Sequence, residues 1–268
     1  MRYVLLLVMM CLSAEATPPN LLRELGARRR AQPMAQSTFP TNGLLTYWSM
    51  DSVSGDTVFD TFGSNNGTAV GSPLFGTEYG KHLEGINLNG SNQRIIVPAA
   101  NSLANLDERT VSLWMNAETW GGGGYGRLID SRGLSTAGIT MALSENNTTY
   151  GIRAMHVVVN FSDNIPLVVT GDDSLWLGEW FHITYVLNSN GVGKVYINGN
   201  ETTYRRQDTG SGSVVDDSAR DIIIGAREDR TDRSFDGSLD EISIWNRALT
   251  SNEVSTIYNN GAGRFYTP

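Results

Sequence analysis

Phe181-His182-Ile183-Thr184-Tyr185-Val186-Leu187, then Asn188-Ser189-Asn190-Gly191, then Lys194-Val195-Tyr196-Ile197 and Asn198-Gly199, is the stretch that decides the fold. Phe181, Ile183, Tyr185 and Leu187 fall on one face of an extended chain and His182, Thr184 and Val186 on the other, the period of a strand. The Asn188–Gly191 cluster reads as a turn, and Asn198-Gly199 is the dipeptide that best fits a type I′ hairpin. Three consecutive antiparallel strands follow. Upstream, Thr110-Val111-Ser112-Leu113-Trp114-Met115 alternates in the same way, and Leu44-Leu45-Thr46-Tyr47-Trp48-Ser49-Met50 opens the domain. From Gly43 to Ser243, short strands separated by Gly, Asn, Asp and Ser predict an all-β sandwich. No repeat of 20 to 50 residues is visible, which excludes solenoids and propellers. Downstream, Thr250-Ser251-Asn252-Glu253 is a capping box, Val254, Ile257 and Tyr258 form an apolar stripe, and Gly261 is placed to end one short helix.

A chain of 268 residues buries a full core without crosslinks, and its only cysteine is Cys11, so a disulfide-knitted module is excluded. The 29 glycines, 18% charged residues and 40% hydrophobic residues describe a loop-rich globular protein. The formal charge of -8 argues against nucleic acid, which needs Lys and Arg clusters.

The N-terminus is laid out as a signal peptide: Arg2, an apolar run from Tyr3 to Leu12, then Ala14-Glu15-Ala16. Residues 1–16 are expected to be removed, giving a secreted or surface-displayed product without a transmembrane segment; ten apolar residues fall short of the roughly 20 a spanning helix needs. An N-terminal segment that packs internally or anchors to an assembly is the alternative. Residues 17–40 read as a flexible linker or docking arm, with Arg28-Arg29-Arg30 either solvated or touching an acidic protein partner. Four arginines against one glutamate give the arm +3, leaving -11 on the body, residues 41–268. Six N-x-[ST] triplets occur, at Asn66, Asn89, Asn146, Asn147, Asn160 and Asn200, and matter only where a glycosylating host reads them.

Trp48-Ser49-Met50-Asp51, Asn65-Asn66-Gly67, Leu88-Asn89-Gly90-Ser91 through Pro98, Val195-Tyr196-Ile197-Asn198-Gly199 and Phe235-Asp236-Gly237-Ser238-Leu239-Asp240-Glu241-Ile242 stand in one order. Together they resemble the laminin-G-like, concanavalin A-like lectin/glucanase superfamily over roughly residues 43 to 263. The resemblance implies a two-sheet antiparallel jelly-roll sandwich with one short C-terminal helix. It says less of function, since one sandwich hosts lectins, adhesion modules, glucanases and virion proteins.

No catalytic motif is found. The E-x-D-x-x-E strand of retaining glucanases in this superfamily is missing; Asp236, Asp240 and Glu241 have the wrong spacing, and Asp240 and Glu241 are expected on opposite strand faces. The Q-x-H signature of alginate-lyase-like jelly rolls is missing too. His156 and His182 read as strand residues with satisfied ring nitrogens.

Members of the family often bind one structural calcium, and carrying that over by position points to Asp60 and Asp240, with Asn65, Asn66 or loop carbonyls completing the shell. The competing reading is that Asp60 and Asn65 make side-chain turns and Asp240 pairs with an arginine. For a glycan, an aromatic face with carboxylate and guanidinium groups is sought, and Trp120, Tyr125, Arg127, Asp173 and Trp176 are the candidates. Between Trp120 and Tyr125, Gly121 to Gly124 reads as a flexible hairpin tip, and Arg227 to Arg233 as a solvated, self-paired turn. The expected function is a non-catalytic, lectin-like module for carbohydrate binding or adhesion. A virion-surface or structural protein using the sandwich for assembly is the alternative, and a divergent polysaccharide hydrolase or lyase the third reading.

Overall fold

The computed structural model describes residues 38–133, 136–227 and 232–268. The signal and linker readings of residues 1–37 lie outside them. In chain order the first strands are β1 (Leu44–Trp48), β2 (Val53–Ser54), β3 (Thr57–Val58), β4 (Gly67–Val70), β5 (Leu74–Gly76), β6 (Gly85–Asn89) and β7 (Arg94–Val97). Then come β8 (Arg109–Ala117), β9 (Arg127–Asp130), β10 (Ile139–Asn147), β11 (Gly151–Val159), β12 (Leu167–Thr170) and β13 (Trp180–Leu187). The last are β14 (Gly193–Ile197), β15 (Asn200–Glu201), β16 (Tyr204–Gln207), β17 (Ile222–Ile224) and β18 (Asp236–Trp245), followed by helix α1 (Ser251–Tyr258).

Two antiparallel sheets form the sandwich. The smaller runs β15-β14-β13-β8-β18-β6-β5, with β1 also on β18; the larger runs β16-β12-β11-β10-β9-β17-β7-β4-β3-β2. The period-two pattern explains the layering, because alternate residues of each sheet meet in one core. Val111, Leu113 and Met115 of β8 and Phe181, Ile183, Tyr185 and Leu187 of β13 face Met141, Leu143, Met155 and Val157 of the larger sheet. The turn Asn198-Gly199 joins β14 to β15 with φ of 51° and 76°, the positive angles a type I′ turn requires.

Strand β18 is the longest at ten residues and changes partner along its length: Asp236–Leu239 pair with β6, and Ile242–Trp245 with β1. At the changeover the register against β8 slips between Asp240 and Ser243, and Glu241 takes φ 54°. This is a β-bulge. Leu239 and Ile242 both point into the core, so the two residues between them share the outer face. Asp240 and Glu241 are therefore neighbours on one side of the sheet, contrary to strict alternation, because one strand residue is in excess.

The outer face of the smaller sheet is sealed by a second apolar cluster of Leu44, Tyr47, Val186, Tyr196, Trp245, Leu249, Val254 and Ile257, with Phe39 and Tyr266 packed on it. Helix α1 is the lid of this cluster. Its capping box is complete: Thr250 Oγ1 accepts from Glu253 N–H, and Thr250 N–H donates to Glu253 Oε2 at 2.8 Å. The helix ends on Asn259, which takes the left-handed conformation at φ 47°, two residues before the Gly261 expected from sequence. Asn is the other residue that visits this region readily, and its Nδ2 donates to Gly263 O at 2.9 Å.

Candidate ligand cleft

The outer face of the larger sheet is where polar side chains collect. Registry sets Arg127 opposite Ala142 and Ala142 opposite His156, so these three form one row across β9, β10 and β11. A cleft of about 240 Å³ lies over this row, lined by Arg127, Arg132, Tyr150, His156, Arg227 and Arg233, with Gly133 and Val158.

Aromatic rings wall one side. Tyr150 stacks on His156 with centroids 4.4 Å apart, and Tyr125 meets Tyr150 edge-on at 5.9 Å. The Tyr125 hydroxyl is bound by Asn147 Nδ2, and the Arg233 guanidinium lies 4.7 Å over the Tyr125 ring. Four arginines make up the other side. Arg127 and Arg227 are only 8% and 6% exposed. Arg127 donates to Asp130 Oδ1 at 3.1 Å, Arg132 Nε donates to Asn160 Oδ1 at 2.7 Å, and Arg227 faces Asp232 at 3.9 Å. Asp130 also accepts the Thr140 hydroxyl at 2.6 Å and Gly133 N–H at 2.8 Å. Buried Arg127 Nε, Arg233 Nε and His156 Nδ1 have no hydrogen-bond partner.

The electrostatic result is a concentrated positive field. Burial lowers the Arg127 pKa against the pull of Asp130, and Arg233, Arg227 and Arg132 lower it further. Burial, then the charges of Arg127 and Arg233, push the His156 imidazole down to about 3, so it is neutral at physiological pH. His182, buried under α1 with Nε2 2.8 Å from Ser112 Oγ, is also pushed to about 3, by desolvation. Its Nδ1 is unpartnered as well. Of the ring nitrogens expected to be satisfied, His182 Nε2 has a partner, and the Nδ1 of each histidine has none.

The backbone that delivers Arg233 depends on glycine. A Cβ at Gly122 would stand 2.4 Å from Asp232 O, and one at Gly121 would stand 2.5 Å from Ser234 O. Gly122 N–H donates to Ser234 O at 2.9 Å, and Arg127 N–H to Arg233 O at 2.9 Å. The Gly121–Gly124 run is thus a surface of close backbone approach, not a free tip. Arg227 and Arg233 both line the cleft, and Arg227 pairs with Asp232 inside the segment expected to pair with itself; residues 228–231 between them lie outside the described residues.

Of the sequence candidates, Arg127 lines the cleft and Tyr125 touches two of its lining residues. Trp120 is 9% exposed and belongs to the core. Asp173 and Trp176 sit together elsewhere: Asp173 pairs with Arg153, whose guanidinium is 5.7 Å from the Trp176 ring, and neither lines the cleft. Arg132, Tyr150, His156, Arg227 and Arg233 were not singled out as ligand residues by sequence. The available signal was the arginine density of 127–132 and 227–233, which gains meaning only once β9 and β11 are known to be one strand apart.

The residues that the resemblance offers to calcium form two separate hubs. Asp60 Oδ1 accepts N–H groups of Tyr47, Phe62 and Gly63 at 2.8 to 3.1 Å, and its Oδ2 accepts Asn65 N–H at 2.9 Å. Asn66 Oδ1 takes Asp60 N–H, and Asn65 Oδ1 takes the Ser102 hydroxyl. Asp240 accepts Lys81 and His82 N–H on Oδ2, at 2.8 and 2.9 Å, and Glu241 N–H on Oδ1. The oxygens of both hubs meet the positive ends of N–H dipoles, where a hard cation needs free lone pairs. Among the described residues no three His, Cys, Asp or Glu side chains converge. As arranged, the four residues do not fit one calcium shell: Asp60 and Asn65 close a side-chain turn, and Asp240 is held by amides. Burial raises Asp240 to about 8, with the Asp51 charge adding to the rise, and raises Glu241, bound by the Tyr47 hydroxyl, to about 9.

A laminin G family model described as the concanavalin A-like lectin/glucanases superfamily matches residues 89–255, more than half of the chain. The chain belongs to this superfamily. It is 32% identical over 88 residues to human adhesion G-protein coupled receptor D1, a match spanning 32% of this chain and 10% of that protein. The binding domain of Paraclostridial mosquitocidal protein 1 superposes with a TM-score of 0.64 at 20% identity, over 82% of this chain and 52% of that one. Domain 4 of AbnA, a GH43 extracellular arabinanase from Geobacillus stearothermophilus solved with arabinotriose, gives 0.53 at 22% identity, over 79% and 96%. Trypanosoma rangeli sialidase, solved with sialic acid, gives 0.60 at 16% identity, over 85% and 35%. These likenesses show the concanavalin A-like fold. The chain spans about half of the mosquitocidal binding domain and a tenth of the receptor. Among the described residues no helix is long and apolar enough to cross a membrane.

Proposed function

We propose that this chain is a non-catalytic carbohydrate-binding module, secreted or displayed at a surface, that takes a glycan in the cleft over β9, β10 and β11. The observation that carries the reading is the juxtaposition of the Tyr150 ring, backed by Tyr125, with four arginines that line the same cleft. Sugar rings are held in this way: an aromatic face takes the C–H side, and fixed donors take the hydroxyls. That similar folds were solved with arabinotriose and with sialic acid supports a sugar as occupant. The pKa of His156 supports binding over catalysis, since a buried imidazole near 3 is a poor proton acceptor at neutral pH.

The test is a glycan panel probed with the purified protein and with Tyr150→Ala, which takes the aromatic ring out of the cleft lining. Binding to a defined glycan class is expected for the parent chain and loss of about tenfold or more for the variant, the scale of removing one good contact. A well-folded protein that binds nothing on the panel would end the reading; release of cleaved or unsaturated sugar would replace it with an enzymatic one.

A further inference from the structure

We infer that the cleft selects glycans carrying an acidic substituent, a sugar carboxylate or a sulfate ester, seated among Arg127, Arg132 and Arg233 with its ring against Tyr150. The inference rests on the carbohydrate-binding reading and deepens it. Three observations carry it.

The first is charge placement. Residues 41–268 carry -11, with 15 basic residues in all, and four of those 15 line one hollow. Among the described residues two carboxylates are paired with these arginines, Asp130 and Asp232, against four guanidinium groups in one cleft of an acidic body. Gathering like charges in a part-buried site is costly unless an anion joins them. The second is the role of Asp130. Asp130 accepts from Arg127, Thr140 and Gly133, so it orients Arg127, and its single charge offsets one of the four guanidinium charges. The third is the state of the donors. Arg127, Arg132 and Arg233 all line the cleft, while the Nε atoms of Arg127 and Arg233 are closed off from solvent behind it. Planar guanidinium forks match carboxylate and sulfate oxygens, and such charge-assisted bonds form best where water is excluded.

Size and surroundings narrow the class. At about 240 Å³ the cleft is smaller than the typical drug-sized site of about 300–1,000 Å³, so it encloses about one sugar residue. A long polyanion such as a nucleic acid would run from this hollow onto an acidic surface and be repelled. A single acidic residue on an otherwise neutral glycan meets no such penalty.

The experiment compares matched ligands on the full-length protein: a uronate- or sialate-bearing oligosaccharide, the same oligosaccharide with its carboxyl reduced to the alcohol, a sulfated glycan and its desulfated form, a neutral glycan, and duplex DNA. Binding to an acidic member, weakened about tenfold or more by carboxyl reduction or desulfation, is the expected result. Carboxylate and sulfate arms separate the two sources of the anion. In Arg233→Gln, acidic-glycan affinity is expected to fall by a similar factor, while the melting temperature without ligand stays level or rises, because a repelled charge has been removed. A structural arginine would instead lower it. Equal affinity for acidic and neutral members would overturn this inference and leave the carbohydrate reading standing. Binding of DNA as tight as that of any glycan would overturn it in favour of unspecific anion attraction. Silence on every glycan would overturn both.

Discussion

Tyr47 and Glu241 show how a single bulge residue reshapes chemistry. With φ 54°, Glu241 leaves the alternation of β18 and comes beneath the aromatic cover, where the Tyr47 hydroxyl donates to its Oε2 and accepts Tyr266 N–H at 3.2 Å. Tyr47→Phe removes both bonds and leaves a buried carboxyl and a part-buried amide without this partner. A loss of about 1–3 kcal/mol in urea unfolding is expected; an unchanged midpoint would mean that water replaces the hydroxyl at no cost. In the cleft the same logic separates two arginines. Arg127→Met takes one charged partner from the buried Asp130 carboxylate, which keeps the Thr140 hydroxyl and Gly133 N–H, and is expected to destabilise by about 1–3 kcal/mol. Arg233→Gln, with no buried carboxylate on its own, should not.

At the scale of elements, the glycine run and the segment it supports act as a pair. Gly122→Ala places a methyl against Asp232 O and forces the Asp232–Arg233 backbone away from the cleft wall. Ligand affinity is expected to drop while the melting temperature changes little, since neither segment belongs to the main core. Proportional loss of both would point to a purely structural role. The loop around Asp60 behaves differently, as its carboxylate is filled by amides from β1 and from its own turn. Melting curves in calcium and in chelator are therefore expected to coincide; a rise with calcium, of the size mass action gives for a bound ion, would show that the amides yield to metal. Helix α1 depends on Thr250, and Thr250→Ala should cost about 1 kcal/mol by chemical denaturation.

For the whole molecule, buried ionisable groups on both sheets set the dependence on pH. The unfolded chain protonates its imidazoles near 6.5, whereas folded His156 and His182 refuse the proton down to about 3, so stability is lost as pH falls through that window. Asp240 and Glu241 act in the opposite sense. Folded, they keep protons up to about 8 and 9 that the unfolded chain releases near 4, so their contribution is full at low pH and lost as pH rises. Between about pH 4.5 and 6.5 the two trends offset each other. From about 6.5 to 8 only the carboxyls operate, and stability should fall by roughly 1 kcal/mol per pH unit for each. Urea midpoints lower at pH 8 than at 6.5, with a shallower slope in Asp240→Asn, are the expected outcome; midpoints that climb over this range would contradict the buried placement.

How much of this was legible in the chain divides along the range of the interactions. Period-two alternation in Phe181–Leu187 and Thr110–Met115, the Asn198-Gly199 turn and the Thr250–Glu253 capping box are local, and each formed as read because strands, turns and caps are set by residues a few positions apart. The ordered blocks from Trp48 to Thr250 were enough for the superfamily. Tyr125 and Arg127, named from the sequence as an aromatic ring and a guanidinium beside a glycine run, fall beside and in the lining of the cleft. Their neighbours were not legible: His156 is set beside Arg127 only through the register of β9, β10 and β11, and Arg233 reaches the cleft only through the glycines that admit its backbone. Trp120 looked like a sugar platform and is core, since no local pattern tells which face of a loop meets the sandwich. The sequence by itself determined strands, turns, cap and family, all short-range or ordered signals; the tertiary structure alone decided the cleft and the shared face of Asp240 and Glu241, because registry and bulges arise from pairing between distant segments.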